Sequence, residues 1–288
     1  MPVVVTGAGG MVARRLLPRL VAAGSEIRAL VRRPEQVEVI RVAAPGTKVA
    51  VADLSDVENL AWALHDAHTV VHLAGGLDQL TTEAYETSNL RTAEWTLEAA
   101  ERAKVRRFLF LSYTGASRAA TNPYLRAKGQ AEEAVANSGL DWLVLRSTHV
   151  YGQGSAWLDA MVGLARRRPA LVVGPGTQRL APVFVDDVAA ALAAADDREA
   201  PLTGTYAIAG PDEISADDLT DRLAARRARK VHLSPRVAAR LSRLARRPAS
   251  VTLMEVMAAD SLPDAPDART PLQVPATPLE VGLARSGA

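Results

Sequence analysis

The fold is decided by Met1–Leu20, which reads MPVVVTGAGGMVARRLLPRL. Within it, Pro2–Val5 is an apolar run typical of a buried strand, Thr6–Ala13 is a glycine-rich turn, and Arg14–Val21 has one apolar side as a helix. Glycine lets the backbone turn sharply and lets a pyrophosphate come close, and the free N–H groups at the helix start face its negative charge. The stretch therefore indicates a dinucleotide site, although a tight turn without a ligand would have the same pattern.

Strands and helices alternate through the first half of the chain. The strands predicted after the first are Ser25–Val31, Thr47–Ala52, Thr69–Leu73, Arg107–Leu111 and Asp141–Leu145. The helices predicted between them are Glu35–Val42, Asp56–His65, Thr81–Ala103 and Pro123–Asn137. This spacing occurs when parallel strands are joined by helical crossovers. We therefore predict an α/β fold, a Rossmann-type doubly wound parallel sheet with a small, mostly helical C-terminal lobe.

The regular alternation of strands and helices ends after Tyr151. The chain is therefore predicted to have three parts. Residues 1–151 form the dinucleotide-binding core, 152–261 form a substrate lobe interleaved with the core, and 262–288 form a proline-rich tail. Gly204–Ala209 is predicted to be a strand, but the lobe has too few strands for a sheet of its own. The prolines predict an extended tail on the surface, partly disordered.

The composition excludes several kinds of protein. Hydrophobic residues make up 48% of the 288 and charged residues 23%, which suits a sizeable core and argues against global disorder. The lack of cysteine excludes disulfides and a thiolate nucleophile, and the five histidines lack the paired spacing of a metal motif, so no metal is expected. No apolar run is long enough for a membrane span, and the strand at the very start leaves no room for a signal peptide. We therefore expect a cytoplasmic protein.

Tyr124 and Lys128 are the pair with the clearest chemical meaning. Their spacing of four places both side chains on one face of the predicted helix. A lysine beside a phenol lowers the pKa of the phenol, which can then exchange a proton near neutral pH. The alternative is a solvated lysine beside a tyrosine at the edge of the core. Their place after the fifth strand of a dinucleotide fold favours chemistry.

These motifs, in this order, resemble the extended or atypical short-chain dehydrogenase/reductase superfamily. Its TGxxGxxG is matched by Thr6–Ala13, with Ala13 for the last glycine, and its YxxxK is matched by Tyr124 and Lys128. Position 13 needs only a small residue for packing, so alanine is expected to be tolerated. Further matching segments are Asp53-Leu54, Leu73–Gly75, Asn89, Arg146–Gly152 and Phe184–Ala189. The branch it resembles contains epimerase-like, NmrA-like and complex I accessory subunit-like proteins, some of them without known turnover.

The resemblance implies a role for each matching position. Tyr124 would be the general acid, and Lys128 would lower its pKa and bind the nicotinamide ribose. Ser112 or Thr114 would orient the substrate carbonyl, although many extended members have this hydroxyl where the chain has Tyr113. The implied contacts are, for the cofactor, Gly7, Gly9, Gly10, Met11, Val12, Asp53, Leu54, Ala74, Gly75, Asn89, Lys128 and Thr148, and, for the substrate, His149 and Tyr151.

The end of the second strand indicates which cofactor is bound. An NAD site usually has a carboxylate there, whereas this chain has Val31, Arg32 and Arg33. A guanidinium fits a ribose 2′-phosphate by charge and by its forked donors, and Arg14 could assist. We therefore predict that NADP(H) is preferred over NAD(H). The alternative is that Arg32 stacks on adenine while Arg33 is solvated.

A basic segment lies near the end of the lobe. From Arg222 to Arg247 there are ten arginines or lysines and no acid, and Arg236, Arg240, Arg243 and Arg247 share one face of a predicted helix, 236–247. This is either a solvated face or a surface for an anionic substrate, an acidic partner or lipid headgroups. Nucleic acid is not predicted, because no base-reading motif accompanies the arginines. The family resemblance is also compatible with a homodimer.

Three functions fit these patterns. The first is an NADP(H)-dependent oxidoreductase that uses Tyr124 and Lys128 on a carbonyl or hydroxyl of a small molecule. The second is a nucleotide-sugar epimerase or dehydratase, which would retain its cofactor tightly. The third is a non-enzymatic sensor or scaffold that binds NADP(H). The intact YxxxK favours the first two, and the unclear hydroxyl at 112–114 favours the third.

Overall fold

The computed structural model describes residues 2–196, 201–244 and 248–287. Its strands are β1 Val3–Thr6, β2 Ile27–Val31, β3 Lys48–Val51, β4 Thr69–His72, β5 Arg107–Tyr113, β6 Asp141–Ser147, β7 Val150–Tyr151, β8 Ala170–Val173, β9 Arg179–Leu180, β10 Val183–Phe184, β11 Gly204–Ile208, β12 Ile214–Ser215 and β13 Lys230–Leu233. Its α-helices are α1 Met11–Ala22, α2 Glu35–Ala43, α3 Val57–Ala63, α4 Thr82–Glu86, α5 Thr92–Arg102, α6 Pro123–Ala136, α7 Ala156–Ala165, α8 Val185–Ala194, α9 Ala216–Leu223, α10 Pro235–Leu244, α11 Val251–Ala258, α12 Arg269–Leu272 and α13 Leu279–Ser286.

Seven strands form one parallel sheet in the order β11-β6-β5-β4-β1-β2-β3. The order runs outward in both directions from β1 and β4, so the crossover helices cover both faces. This confirms the predicted doubly wound α/β fold. The carboxyl ends of β1 and β4 lie side by side, with Thr6 paired to His72. Ligands of such sheets bind in the crevice at this point, where the strand order reverses.

The first strand explains how the core is divided between the two faces. Val3 and Val5 point to one side, where they pack with Leu16 and Leu20 of α1. Val4 points to the other side, into a cluster formed mainly by α3, α5 and α6. Successive side chains of a strand alternate between faces, so an unbroken apolar run is needed where both faces are buried.

The predicted strand at Gly204–Ala209 is β11, and its partner was not foreseen. It pairs in parallel with β6, from Gly204 beside Leu143 to Ile208 beside Ser147, and it forms the edge of the main sheet. The lobe has three pairs of short strands besides, of which β8 with β13 is the longest. The chain therefore leaves the core for the lobe and returns to the core at β11.

The expectation of a loose, extended tail is wrong. The tail contains α12 and α13, and Leu279 and Leu283 are buried against the lobe. The Asp187 carboxylate accepts hydrogen bonds from the backbone N–H and hydroxyl of Thr277 at 2.8 and 2.6 Å. The prolines limit regular structure, but buried polar partners and apolar contacts hold the segment in place.

Two further helices differ from their predictions. The long helix predicted over Thr81–Ala103 is interrupted by a π-helical turn at Thr87–Arg91, which separates α4 from α5. The basic helix α10 ends at Leu244, with Arg236, Arg240 and Arg243 exposed on it. Arg247 lies outside the described residues, and an anionic partner for this helix stays a prediction. No helix in the described ranges combines the length and apolarity needed to cross a membrane.

Candidate functional site

A cleft of about 420 Å³ lies at the carboxyl ends of β1, β4, β5 and β6. Its walls come from the start of α1, the loop after β4, the ends of β5 and β6, one face of α6, and the lobe helices α7 and α11. The sheet thus supplies one end of the cleft and the lobe supplies the other. A ligand bound at the glycine turn would therefore face a second ligand bound against the lobe.

The glycine turn after β1 is built for close approach. Gly7 has a φ of +63°, and a Cβ there would lie 2.7 Å from the backbone N of Ala74, so only glycine fits. Gly10 precedes α1, whose first turn contains no acidic residue. Gly7, Gly10, Met11 and Val12 all line the cleft. These features fit a bound pyrophosphate, because the helix N-terminus offers N–H donors to an anion.

A second cavity, of about 220 Å³, lies beside the glycine turn and is lined by Gly9, Arg14 and Arg33 among others. The Arg14 guanidinium donates two hydrogen bonds of 3.2 Å to the Gly9 carbonyl. Arg33 lines this cavity, whereas Arg32 is exposed and does not. Glu35 also lines it and opposes an anion by its charge. The arrangement leaves Arg33, with Arg14, as the cationic pair beside the turn.

Asp53 and Leu54 lie beyond β3, away from the cleft lining. The Asp53 carboxylate accepts hydrogen bonds from the Ser55 backbone N–H and hydroxyl at 2.9 and 2.8 Å, which lower its pKa. Leu54 packs against the core cluster on the α3 side of the sheet. Their contact with adenine stays a prediction.

The loop after β4 is positioned by Asn89, which was expected to touch the cofactor. Asn89 is fully buried in the π-helical turn and does not line the cleft. Its amide donates to the Gly76 carbonyl at 3.1 Å and accepts from the Gly76 N–H at 3.2 Å. A Cβ on Gly75, whose φ is +132°, would lie 2.7 Å from the Asn89 oxygen. Asn89 therefore shapes the loop, in which Gly75 lines the cleft and Ala74 does not.

Tyr124 and Lys128 both line the cleft from α6, as the spacing predicts. The Asn122 side chain caps this helix and accepts a hydrogen bond from the Tyr124 N–H at 3.1 Å. The Lys128 ammonium donates to the Leu111 carbonyl at 3.0 Å and lies 4.7 Å from the centre of the Phe110 ring. Its Nζ also lies 3.4 Å from where a Cβ on Gly75 would be, and the predicted contact of Lys128 with a ribose stays a prediction.

The expected lowering of the Tyr124 pKa by Lys128 is not what the structure shows. Burial raises the pKa of Tyr124, and the nearby Tyr113 and Tyr85 rings add to the rise. Burial also lowers the pKa of Lys128 to about 8, against the opposing effect of Glu132. Both groups are buried where water cannot stabilise their charged forms, and the Lys128 ammonium is directed at a backbone carbonyl. The phenol is therefore protonated at neutral pH.

The two hydroxyls considered at the end of β5 have different surroundings. Ser112 is buried and lines the cleft, and its hydroxyl has no hydrogen-bond partner among the described residues. The Thr114 hydroxyl donates to the Leu262 carbonyl, and Thr114 is not part of the cleft lining, so this geometry gives its predicted role no support. The Tyr113 hydroxyl lies 3.0 Å from Nδ1 of His149 and 3.1 Å from the Ser261 hydroxyl. Of the two candidates, only Ser112 belongs to the cleft lining.

The residues after β6 also differ in whether they line the cleft. His149 lines the cleft, stacks on Trp157 with ring centroids 4.7 Å apart, and has its pKa lowered to about 3 by burial, so it is neutral. Thr148 lines the cleft, while its hydroxyl donates to the Ala181 carbonyl at 2.6 Å. Tyr151 is fully buried against Phe184 and does not line the cleft. The predicted substrate contact of Tyr151 therefore has no support from this geometry.

The lobe wall of the cleft contains residues that sequence reasoning missed. Leu253 and Met257 of α11 line the cleft, as do Leu77 and Asp78 of the loop after β4. None of them belongs to a motif, and α11 lies more than a hundred residues from α6 in the chain. Only the tertiary packing brings Leu253 and Met257 to the site, whereas Leu77 and Asp78 closely follow the Leu73–Gly75 segment in the chain.

Two models of known protein families match overlapping parts of the chain. A model of the NAD(P)H-binding family matches residues 7–160, and a model of the RmlD substrate binding domain matches residues 114–271. The chain belongs to the extended short-chain dehydrogenase/reductase family of NAD(P)-binding proteins. The family models thus cover both the glycine turn and the lobe of this short-chain dehydrogenase/reductase.

Individual relatives show how broad that family is. The protein is 29% identical over 75% of its length to a mitochondrial subunit, NADH dehydrogenase [ubiquinone] 1 alpha subcomplex subunit 9 of Arabidopsis thaliana. It is 32% identical over 67% of its length to ceramide reductase of Caulobacter vibrioides. The chain spans 56% and 60% of these two relatives. A structure of UDP-glucuronic acid 4-epimerase from Bacillus cereus, at 18% identity, covers 100% of this chain and 99% of its own, with a TM-score of 0.72, which shows a common fold.

Proposed function

We propose that the protein is an NADP(H)-dependent reductase that converts a carbonyl group of a small molecule to a hydroxyl. The observation that carries the proposal is the meeting of three groups in one cleft: the protonated Tyr124 phenol, the partnerless Ser112 hydroxyl and the Lys128 ammonium. This cleft continues to the glycine turn. A proton donor, a hydroxyl for orientation and a phosphate-binding turn are what such a reduction requires of the protein.

The residues present fit a dinucleotide. Gly7 and Gly75 leave room where a Cβ would overlap the backbone or Asn89, and the start of α1 offers N–H donors without a nearby acid. Lys128, next to Gly75, is proposed to donate to a ribose hydroxyl. When bound, the reduced nicotinamide supplies a hydride to the carbonyl carbon.

Tyr124 is proposed as the proton donor in this reduction. Burial raises its pKa, so the phenol keeps its proton at neutral pH and can give it to the carbonyl oxygen as the hydride arrives. Lys128 is cationic below its pKa of about 8 and favours the transient phenolate by its charge. The ketone or aldehyde gains one hydride and one proton and becomes an alcohol. One proton taken up from the solvent then restores the Tyr124 phenol, so each reduction consumes one proton.

Ser112 is proposed to orient the carbonyl oxygen. Its hydroxyl is buried without a partner, and a buried hydroxyl without a hydrogen bond carries a free-energy penalty of about 1–3 kcal/mol. A carbonyl oxygen in the cleft removes this penalty by accepting the hydrogen bond. The orphaned hydroxyl is therefore a binding group for the substrate.

Replacing Ser112 by alanine tests the proposed function. We expect Ser112→Ala to lower kcat with a carbonyl substrate about 100-fold, because a preorganised donor to the reacting oxygen is lost. The free energy of unfolding should stay equal or rise, since the hydroxyl has no partner to lose. The matched control is Thr114→Ala, which should lose stability with its Leu262 hydrogen bond but keep its turnover. Full turnover in Ser112→Ala would contradict the role.

The cofactor preference has its own test. We expect Arg33→Ala to raise the Kd for NADPH about tenfold and leave the Kd for NADH unchanged, because only the former has a 2′-phosphate for the guanidinium. Arg41, exposed on α2 outside the cavity, provides the control Arg41→Ala. Fluorescence titration of both coenzymes measures the constants. Wild-type protein that binds NADH as tightly as NADPH would exclude the preference.

A nucleotide-sugar epimerase or dehydratase is the second candidate. It is favoured by the match of residues 114–271 to the RmlD substrate binding domain. Such an enzyme recycles its cofactor and would retain it through purification. NAD(P) released from the purified protein by denaturation would support this candidate over a reductase that exchanges its cofactor at each turnover.

A further inference from the structure

We infer that the lobe end of the cleft takes an uncharged, mainly apolar carbonyl compound and excludes substrates that carry a phosphate or carboxylate. The inference rests on the proposed reductase function and narrows its substrate class. It follows from two properties of the cleft lining, its apolar surface and its distribution of charge.

The apolar surface comes from three separate elements. Trp157 and Ala160 of α7 face the cleft from one side, and Leu253 and Met257 of α11 face it from another. Leu77, from the loop after β4, adds to them. A ligand against these side chains is stabilised by removing apolar surface from water, at about 25 cal/mol per Å². The one hydrogen-bond donor among these five side chains is the Trp157 indole N–H, and none of the five carries a charge.

The charges of the lining disfavour anions. Lys128 is the one cation among the lining residues, and its ammonium already donates to the Leu111 carbonyl at the sheet end. Asp78, exposed, is the one carboxylate of the lining, and it repels an anion. His149 is buried and neutral. An anionic group placed against the lobe would lose water without gaining a counter-ion, which is strongly unfavourable.

Arginines near the cleft have other partners. Arg15 of α1 forms an ion pair with Asp186 at 3.5 Å and donates to the Gln153 side chain at 3.2 Å. Arg146 at the end of β6 pairs with Glu132 at 2.6 Å and Asp264 at 3.0 Å. Neither lines the cleft. A diphosphate would therefore find no free guanidinium in the lining.

The two hydroxyls of the lining that have no partner in the described part of the chain suit one carbonyl oxygen of a ligand. Ser112 and Tyr124 are on the sheet side of the cleft, and their hydroxyls have no hydrogen-bond partner among the described residues. Together they can serve one carbonyl oxygen at the reacting position. Sites for small molecules typically combine apolar walls with a few such polar groups that fix orientation. A compound with one carbonyl group and an apolar remainder satisfies every part of this lining.

The test compares neutral compounds with charged counterparts. Benzylacetone, cinnamaldehyde and decanal are the neutral probes, and each is paired with an analogue that carries a carboxylate at its far end. UDP-glucose is the nucleotide-sugar probe. Calorimetry on the protein with NADP⁺ measures binding without turnover, and NADPH oxidation measures the reaction separately. We expect the neutral member of at least one pair to bind on the order of 100-fold more tightly than its carboxylate, and UDP-glucose not to bind.

The outcomes separate the inference from the function on which it rests. Neutral probes that bind but are not reduced would support the substrate class and remove the reductase proposal. Reduction of the carboxylates, or of UDP-glucose, as efficiently as the neutral probes would overturn the substrate class and leave the reductase proposal intact. Failure of every neutral probe to bind would also overturn the substrate class.

A charge introduced into the lobe wall provides a second test. Ala160 is exposed on α7 and lines the cleft, so Ala160→Arg should fold normally. We expect it to shift the ratio of the two dissociation constants in each pair toward the carboxylate by about tenfold. Leu241→Arg adds the same charge at an exposed position of α10 outside the cleft and should leave the ratio unchanged. Equal shifts in both variants would show that net charge, and not the lining, controls selectivity.

Discussion

Tyr124→Phe is expected to lower kcat for carbonyl reduction about a thousandfold, because a positioned proton donor contributes on the order of 10²–10⁴ to a rate. The Kd for NADPH should not change, since Lys128 and the glycine turn, which are proposed to hold the coenzyme, are retained. The fold should also be unaffected. Phenylalanine keeps the ring that packs edge-on against Tyr85 and Tyr113, with centroids 6.0 and 5.7 Å away.

The matched control for this prediction is Tyr85→Phe. Tyr85 belongs to the same aromatic cluster, but its hydroxyl donates to the Leu77 carbonyl at 2.7 Å and does not line the cleft. This variant should lose some stability and keep most of its turnover. Steady-state NADPH oxidation and a coenzyme titration on both variants make the comparison. Unchanged kcat in Tyr124→Phe would exclude the phenol as the donor and would favour the sensor or scaffold function.

Acid conditions are expected to destabilise the fold strongly through His72 and His149. Both are buried, and burial lowers the pKa of each from 6.5 to about 3. As the pH falls from 6.5 towards 3, the unfolded chain takes up protons that the folded chain does not, so stability is lost across this window. The full loss is roughly 5 kcal/mol for each histidine, comparable to the total stability of many domains.

Denaturant unfolding at about pH 7 and about pH 4 tests this expectation. His72 packs against the Phe108 and Phe110 rings, and its Nδ1 lies 3.0 Å from the buried Thr6 hydroxyl. His72→Phe removes the titrating ring and leaves that hydroxyl without its partner, so the variant should be less stable at neutral pH. The variant should lose roughly 3 kcal/mol less than the wild type between the two conditions. His65→Gln, on an exposed side chain, should behave as the wild type does. Equal losses in all three proteins would show that other groups control acid unfolding.

The parts of the site that the sequence could predict depend only on residues that lie close together in the chain. Gly7 and Gly10 are recognisable because a turn between a strand and a helix imposes its own backbone demands within a few residues. Tyr124 and Lys128 are recognisable because the helical period places a residue and the fourth one after it on the same face. Such patterns carry over to the folded state without knowledge of the rest of the chain.

The parts that the sequence could not predict depend on where an element ends. Ser112 and Thr114 would share a face of an ideal strand, but β5 ends at Tyr113, so Thr114 leaves the pleat and meets the tail. The effect of burial on the Tyr124 pKa likewise depends on Tyr85 and Tyr113, which come from other elements. Composition describes none of these contacts.

Contacts between distant segments explain the remaining differences. The prolines of the tail predict extended chain, yet Asp187 holds Thr277 from 90 residues away. Leu253 and Met257 reach the cleft only because α11 packs beside α6 and α10. A single sequence records the residues on each side of such contacts but not which of them meet.

The return of the chain to β11 limits how this protein can be re-engineered. Because Gly204–Ile208 completes the central sheet after the lobe has begun, the lobe cannot be cut out and replaced by that of another enzyme without removing an edge of the sheet. The substrate specificity therefore cannot be changed by transplanting the whole lobe from another enzyme. Substitutions on the cleft side of α7 and α11 remain possible, since neither helix is part of the central sheet. New substrate selectivity would come from changing single side chains there, while the cofactor-binding core stays unchanged.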